Sequence, residues 1–137
     1  MAIQYTTSAD GIDWDDLAAL FVRANLGNRT AQLLEAAFRG SQVAVFAHEG
    51  GRLMGAGRAL SDRIAWSAIF DVAVDPRYQG KGIGAELVGT LIRAAGTPNI
   101  MLKSVPGKEG FYRGLGFEPM PGGMEANHSS AGRPSGR

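Results

Sequence analysis

The stretch that decides the fold is VAVDPRYQGKGIGAELV, Val72 to Val88. An apolar, β-branched run stops at Pro76, three glycines follow at alternate positions, and a helical pattern begins at once. A glycine inside a helix costs about 1 kcal/mol relative to alanine. Gly80, Gly82 and Gly84 together therefore predict that a ligand approaches the backbone closely. A helix N-terminus offers unpaired N–H groups and a partial positive charge, so the ligand expected there is an anion.

Three readings of Gln79–Gly84 compete. A flexible connection accounts for one or two of the glycines but not for three in front of an amphipathic helix. Nucleotide binding is the second reading. A P-loop is excluded, because no Gly-Lys-Ser/Thr follows four residues after a glycine. A dinucleotide fingerprint fits formally as Gly80-Lys81-Gly82-Ile83-Gly84-Ala85, yet it needs an acid about 20 residues on. That place holds MLKSV (101–105), without a carboxylate. The third reading is a pyrophosphate cradle, in which Gln79, Gly80, Lys81, Gly82, Ile83 and Gly84 surround a cofactor phosphate. Gln79 and Lys81 add side-chain donors to the backbone groups.

Outward from this stretch, the remaining elements alternate. Residues 2–7 read as a short strand. Residues 12–25 read as a helix with Asp13 as N-cap, and 31–39 as a helix capped by Thr30 and ended by Gly40. Strands at 42–48 and 52–60 flank an EGG hairpin turn. Gly55 and Gly57 within the second strand predict a bend or a close packing approach. Residues 65–74 form a strand, 83–96 a helix, 99–105 a strand and 108–116 a short helix, with FEPM (117–120) at most a short last strand. The order β-α-α-β-β-β-α-β-α-β implies an α+β domain over 1–121. Residues 122–137 are rich in Gly, Ser, Pro and Arg and are expected to be a disordered tail.

Composition narrows the function classes. With 137 residues the chain has room for one core. A net charge of +1 gives no electrostatic reason to expect nucleic acid or an anionic membrane as partner. There is no cysteine, which removes disulfides and thiolate chemistry, and two histidines give no metal site. No apolar run is long enough to span a bilayer, and the first residues lack a secretory pattern. A cytoplasmic protein is the expectation.

VAVDPRYQGKGIGAELV together with GFYRGLGF (110–117) resembles the Gcn5-related N-acetyltransferase (GNAT) superfamily, whose signature Q/R-x-x-G-x-G/A is met by Gln79–Gly84. RALSD (58–62), AIFDVAVDPRYQGKGIG and FYRGLGFEPMPGGM are similar to plant and cyanobacterial serotonin N-acetyltransferases and their bacterial relatives. An Asn common in the superfamily seven residues before the Tyr is replaced here by Val105, and the last strand is expected to be reduced or missing. The resemblance implies a central mixed sheet flanked by helices and splayed at the cofactor site. It also implies direct acetyl transfer from acetyl-CoA to a primary amine of a small molecule in a ternary complex, without metal. Val72, Ala73 and Val74 would pair with the pantetheine arm, a strand N–H near Val72 or Ala73 would stabilise the oxyanion, and Arg77, Lys81 and Arg113 are available for phosphates. Tyr112 is implied as the acid for the leaving thiolate.

For the base, Asp71 or Asp62 are the choices. Asp71, between Phe70 and Val72, is expected to be desolvated with its pKa raised; an equal alternative makes it a structural anchor. Asp75 is read as a cap at Pro76. Trp14, Phe21, Phe38, Trp66 and Phe70 are either an aryl-accepting wall or core. Arg29 and Arg58 could face a substrate carboxylate. A homodimer is left open, and the alternative function is an acyl-CoA-binding sensor or interaction module without turnover.

Overall fold

A computed structural model describes residues 2–129. Contacts divide the chain into two compact units, Met1–Lys103 and Ser104–Arg137.

The first unit carries the sheet, with strands in the order β1 (Gln4–Thr6), β2 (Val43–Glu49), β3 (Arg52–Ser61), β4 (Trp66–Val74) and β5 (Asn99–Leu102). The first three pairings are antiparallel and β4–β5 is parallel, so the sheet is mixed as expected. β2 and β3 are joined by Gly50 and Gly51 at φ 57° and 78°. Those angles are those of a type I′ turn, which only glycine adopts at both positions without strain.

Two helices cover one face. In α1 (Trp14–Arg23) Asp13 accepts from the N–H of Asp16, and in α2 (Ala31–Arg39) Thr30 accepts from Leu33. Their apolar sides meet the sheet through Leu17, Leu20, Phe21, Leu34, Phe38, Phe46, Ala56 and Ala73, all buried. Trp14 and Phe38 each lie about 6 Å from Phe46 in edge or tilted contact. Trp14, Phe21 and Phe38 thus belong to the core.

The opposite face is covered by α3 (Ile83–Ala95). A Cβ on Gly55 would come within 2.8 Å of the Ala73 carbonyl and 3.1 Å of Leu87, and one on Gly57 within 3.1 Å of Leu91. The two glycines therefore let α3 lie directly on β3, the close approach their spacing predicts.

In the second unit, described to Ser129, α4 (Glu109–Gly114) is the one regular element. Residues 117–120 form no strand. Pro119 lacks the N–H that a ladder needs and Pro121 follows it, so the last strand, expected to be reduced or missing, is missing among the described residues. The expected tail is exposed and without regular structure over 122–129, and 130–137 lie outside the described residues.

Candidate active site

Two irregularities of β4 create the site. Its parallel ladder with β5 stops at Ile69↔Leu102, although β4 runs on to Val74. The strand therefore has an open edge over its last five residues, the splay expected of the fold. Against β3, the register shifts between Ala56 and Arg58, where Asp71 and Val72 together oppose Gly57. This is a β-bulge, and Asp71 occupies its left-handed position at φ 58°.

Beyond the bulge the backbone directions alternate. The N–H of Asp75 donates to the Met54 carbonyl at 2.9 Å on β3. Two residues back, Ala73 turns the same way, and its oxygen is the atom a Cβ on Gly55 would strike. Val72 and Val74 consequently aim their N–H and C=O groups at the open edge. Among Val72, Ala73 and Val74, the backbone groups thus divide between the open edge and β3.

The chain leaves β4 through a single 3₁₀ turn at Pro76–Tyr78, capped by Asp75, whose side chain accepts from the Arg77 N–H. The cap read from sequence is present, and it does more than cap. Asp75 is fully buried and ion-paired to both Arg23 of α1 and Arg77, each at 2.7 Å. Hydrogen bonds from Arg77, with help from Arg23, overcome the effect of burial and hold this carboxyl far below the usual carboxylate range.

Gly80 and Gly82 then take φ of 84° and 75°, with open space where a Cβ would be. What glycine supplies here is conformation: a left-handed approach to the helix that leaves the surface clear. Gly84 is helical. Gly82 caps α3 without any side-chain hydrogen bond, and the first N–H of the helix taken by the chain is that of Glu86, at 3.1 Å from the Gly82 carbonyl. Among the described residues nothing accepts from the N–H groups of Ile83, Gly84 and Ala85. Lys81 is exposed beside them, with its ammonium 5.9 Å from the Tyr78 ring centre. Three open N–H groups at a helix N-terminus behind a clear surface fit the pyrophosphate of coenzyme A.

Asp71 differs from its expectation. Burial pushes its carboxyl up, but hydrogen bonds and charge from Arg29 and Arg58 outweigh burial and hold it below the usual range. Arg29, in the segment 24–30 between α1 and α2, meets both carboxylate oxygens at 2.7 and 3.1 Å. Arg58 of β3 meets one at 2.7 Å and reaches Ser41 with another nitrogen at 3.2 Å. The expected raised pKa is thus corrected: desolvation is real, and two guanidiniums reverse its effect. Arg29 and Arg58 face this internal carboxylate. Asp62 is likewise engaged, since Oδ1 accepts from the N–H groups of Ile64, Ala65 and Trp66 and is held below the usual range by them. Sequence reasoning missed the arginine partners of Asp71 and Asp75, which lie between 2 and 52 positions away.

Trp66 and Phe70 share a face of β4 by the two-residue period and are 48% and 40% exposed. The Arg58 guanidinium stands 5.1 Å from the Phe70 ring centre. Of the five aromatics considered for an acceptor wall, these two remain available.

In the second unit, Tyr112 of α4 lies edge-on to Phe111 and Phe117, with ring centres 5.0 and 5.7 Å away. Gly116 at φ 94° turns the chain back so that the Phe117 N–H donates to the Tyr112 carbonyl at 3.0 Å. Burial pushes the Tyr112 hydroxyl above its ordinary value. Among the described residues no helix is long and apolar enough to cross a membrane, and no cluster of metal-ligating side chains occurs.

A five-stranded mixed sheet with a splayed β4 and a glycine-turned α3 is the GNAT fold. It superposes on a GNAT-family acetyltransferase of Streptococcus pneumoniae with a TM-score of 0.75 at 24% identity, covering 93% of this chain and 100% of that one. The sequence pattern of the acetyltransferase (GNAT) family matches residues 12–117, and the chain belongs to that family. Similar proteins include a Glycine max protein named histone acetyltransferase TAP1, 35% identical over 87% of this chain and 58% of that one. Another is serotonin N-acetyltransferase 2, chloroplastic, of Oryza sativa, 32% identical over 83% and 60%. A third is GCN5-related N-acetyltransferase 2, chloroplastic, of Arabidopsis thaliana, 34% identical over 87% and 55%. The chain spans a little over half the length of these relatives.

The chloroplastic relatives overturn the expectation of a cytoplasmic location. That expectation rested on composition and on the lack of a secretory pattern. Location is set by segments that import receptors read, and a domain's composition carries no such address.

Proposed function

We propose that this chain transfers the acetyl group of acetyl-CoA to a primary amine of a small molecule by direct attack. The observation that carries the reading is the open N-terminus of α3, with Ile83, Gly84 and Ala85 N–H groups unpaired next to the open edge of β4. Acetyl-CoA, when bound, supplies an acetyl group already activated as a thioester.

The chain's own residues then have separable tasks. Gly80 and Gly82 hold the backbone in the left-handed turn that clears a path to the helix. The helix N–H groups, with Gln79 and Lys81 beside them, hold the pyrophosphate. Val72 and Val74 present strand hydrogen-bonding groups to the pantetheine arm, as an added strand would take them. The N–H of Val72 is the donor for the thioester oxygen, where charge develops. Tyr112, a phenol and so protonated at neutral pH, is the acid for the departing thiolate. Asp71 is a positioning residue: with both oxygens held by guanidiniums it fixes the bulge, and the amine's proton passes to water.

The acceptor is read as an amine with an apolar body. Exposed Trp66 and Phe70, on the same face as the Asp71 clamp, support it.

A thermal-shift titration tests the cosubstrate: acetyl-CoA raises Tm and NAD leaves it unchanged. Stabilisation by NAD alone would sink the reading. An acetyl-transfer assay over tryptamine, spermidine, glucosamine and a histone-tail peptide tests the acceptor, with tryptamine expected to turn over best. Tyr112→Phe is expected to lower kcat about a hundredfold at unchanged KM for acetyl-CoA. An unchanged kcat would remove the acid role.

A further inference from the structure

Tyr78 lies between three cations drawn from two parts of the fold. The Arg77 guanidinium is 5.6 Å from its ring centre, the Lys81 ammonium 5.9 Å and the Arg52 guanidinium 5.9 Å. Arg52 comes from the first position of β3, on the far side of the β2–β3 hairpin, and also donates to the Tyr78 hydroxyl at 3.1 Å. Arg77 is engaged by Asp75. Arg52 and Lys81 have no carboxylate within ion-pair distance among the described residues, although Glu49 stands opposite Arg52 in the ladder. Glu86, in the first turn of α3, is taken by Arg93 at 3.2 Å. Two unpaired cations held on one aromatic ring, at the turn that leads into α3, form a site for a dianionic phosphate.

We propose that Arg52, Lys81 and Tyr78 form a phosphate-monoester subsite that recognises the ribose 3′-phosphate of coenzyme A, with Arg52 as its specificity-determining residue. The inference rests on the acetyl-CoA reading above. The pyrophosphate is met mainly by the row of N–H groups at the helix, with Gln79 beside them and Lys81 shared between the two phosphate groups. A terminal phosphate carries more charge and no second ester on that side, so it is matched by mobile cations rather than by backbone. Arg52 presents a planar fork for its oxygens, and the Tyr78 hydroxyl holds that fork in place.

Calorimetric binding of CoA, dephospho-CoA and adenosine 3′,5′-bisphosphate to the full chain tests the subsite. The unsubstituted protein is expected to bind CoA at least tenfold more tightly than dephospho-CoA, the difference of about one charge-assisted contact. Arg52→Gln is expected to weaken CoA about tenfold and leave dephospho-CoA unchanged, and Tyr78→Phe to do the same to a smaller extent. Equal binding of CoA and dephospho-CoA by the unsubstituted protein, or equal weakening of both by Arg52→Gln, would overturn the proposal. Binding that discriminates without acetyl transfer to any amine would keep the subsite and overturn the enzyme reading. Transfer without discrimination would do the reverse.

Discussion

At the scale of single residues, Asp71 decides how the site is understood. A left-handed backbone costs a non-glycine residue roughly 1–2 kcal/mol, and Asp71 keeps φ 58° because Arg29 and Arg58 hold its carboxylate. If it is a strut for the bulge, replacements should rank by how easily they take that backbone. Asp71→Gly is expected to keep kcat within about threefold, and Asp71→Ala to lower it about tenfold, each tenfold being 1.36 kcal/mol of barrier. A general base would instead make both variants equally poor, by a factor of roughly a hundred or more. Rates measured for the two side by side, with the pH dependence of kcat, separate the roles.

At the scale of elements, the sheet and the helix α3 were largely legible, because the signals are local. Asp13 and Thr30 stand where caps stand, and Gly50-Gly51 can close only a tight hairpin. Gly55 shows how far such signals go. Its place in an apolar strand predicted a close approach, but the partner was found only in the fold: the Ala73 carbonyl on one side and Leu87 and Ile83 of α3 above. Gly55→Ala is expected to destabilise the protein by roughly 1–3 kcal/mol, because the clash is with backbone and the layer of α3 must shift. Urea unfolding measures it, and an unchanged midpoint would mean that α3 rides more loosely on β3 than these distances allow. The last strand, expected to be reduced or missing, is missing among the described residues for an equally local reason, since FEPM carries Pro119 where a ladder needs a donor. The splay of β4 was not legible from its own residues, because Trp66–Val74 is a continuous strand whose partner ends early.

At the scale of the whole first unit, two carboxylate clamps tie the α1 and 24–30 region to β4. Asp75 joins Arg23 to the turn after β4, and Asp71 joins Arg29 to the bulge. Both carboxyls are held below their ordinary values, so each contributes stability that is present above the unfolded pKa, near 4, and is lost as pH falls toward the folded value. Stability is therefore expected to be flat near neutrality and to fall steeply in acid below about pH 4. Asp75→Asn is expected to cost roughly 2 kcal/mol at pH 7 and to flatten that acid limb, because buried hydrogen-bonded charge loses its counterpart. Denaturant titrations at pH 7, 4 and 3 check both; an Asp75→Asn protein with an undiminished acid limb would assign it to other carboxylates. The amino-acid sequence by itself determined the glycine turn into α3, the caps, the hairpin and the family pattern, all of which depend on neighbours a few positions away. Only the tertiary structure decided which arginines meet Asp71 and Asp75 and so in which direction their pKa values move, because a pKa sums over groups that folding brings in from up to 52 residues away. The same holds for Arg52 at Tyr78, 26 positions apart in the chain and joined by one hydrogen bond in the fold.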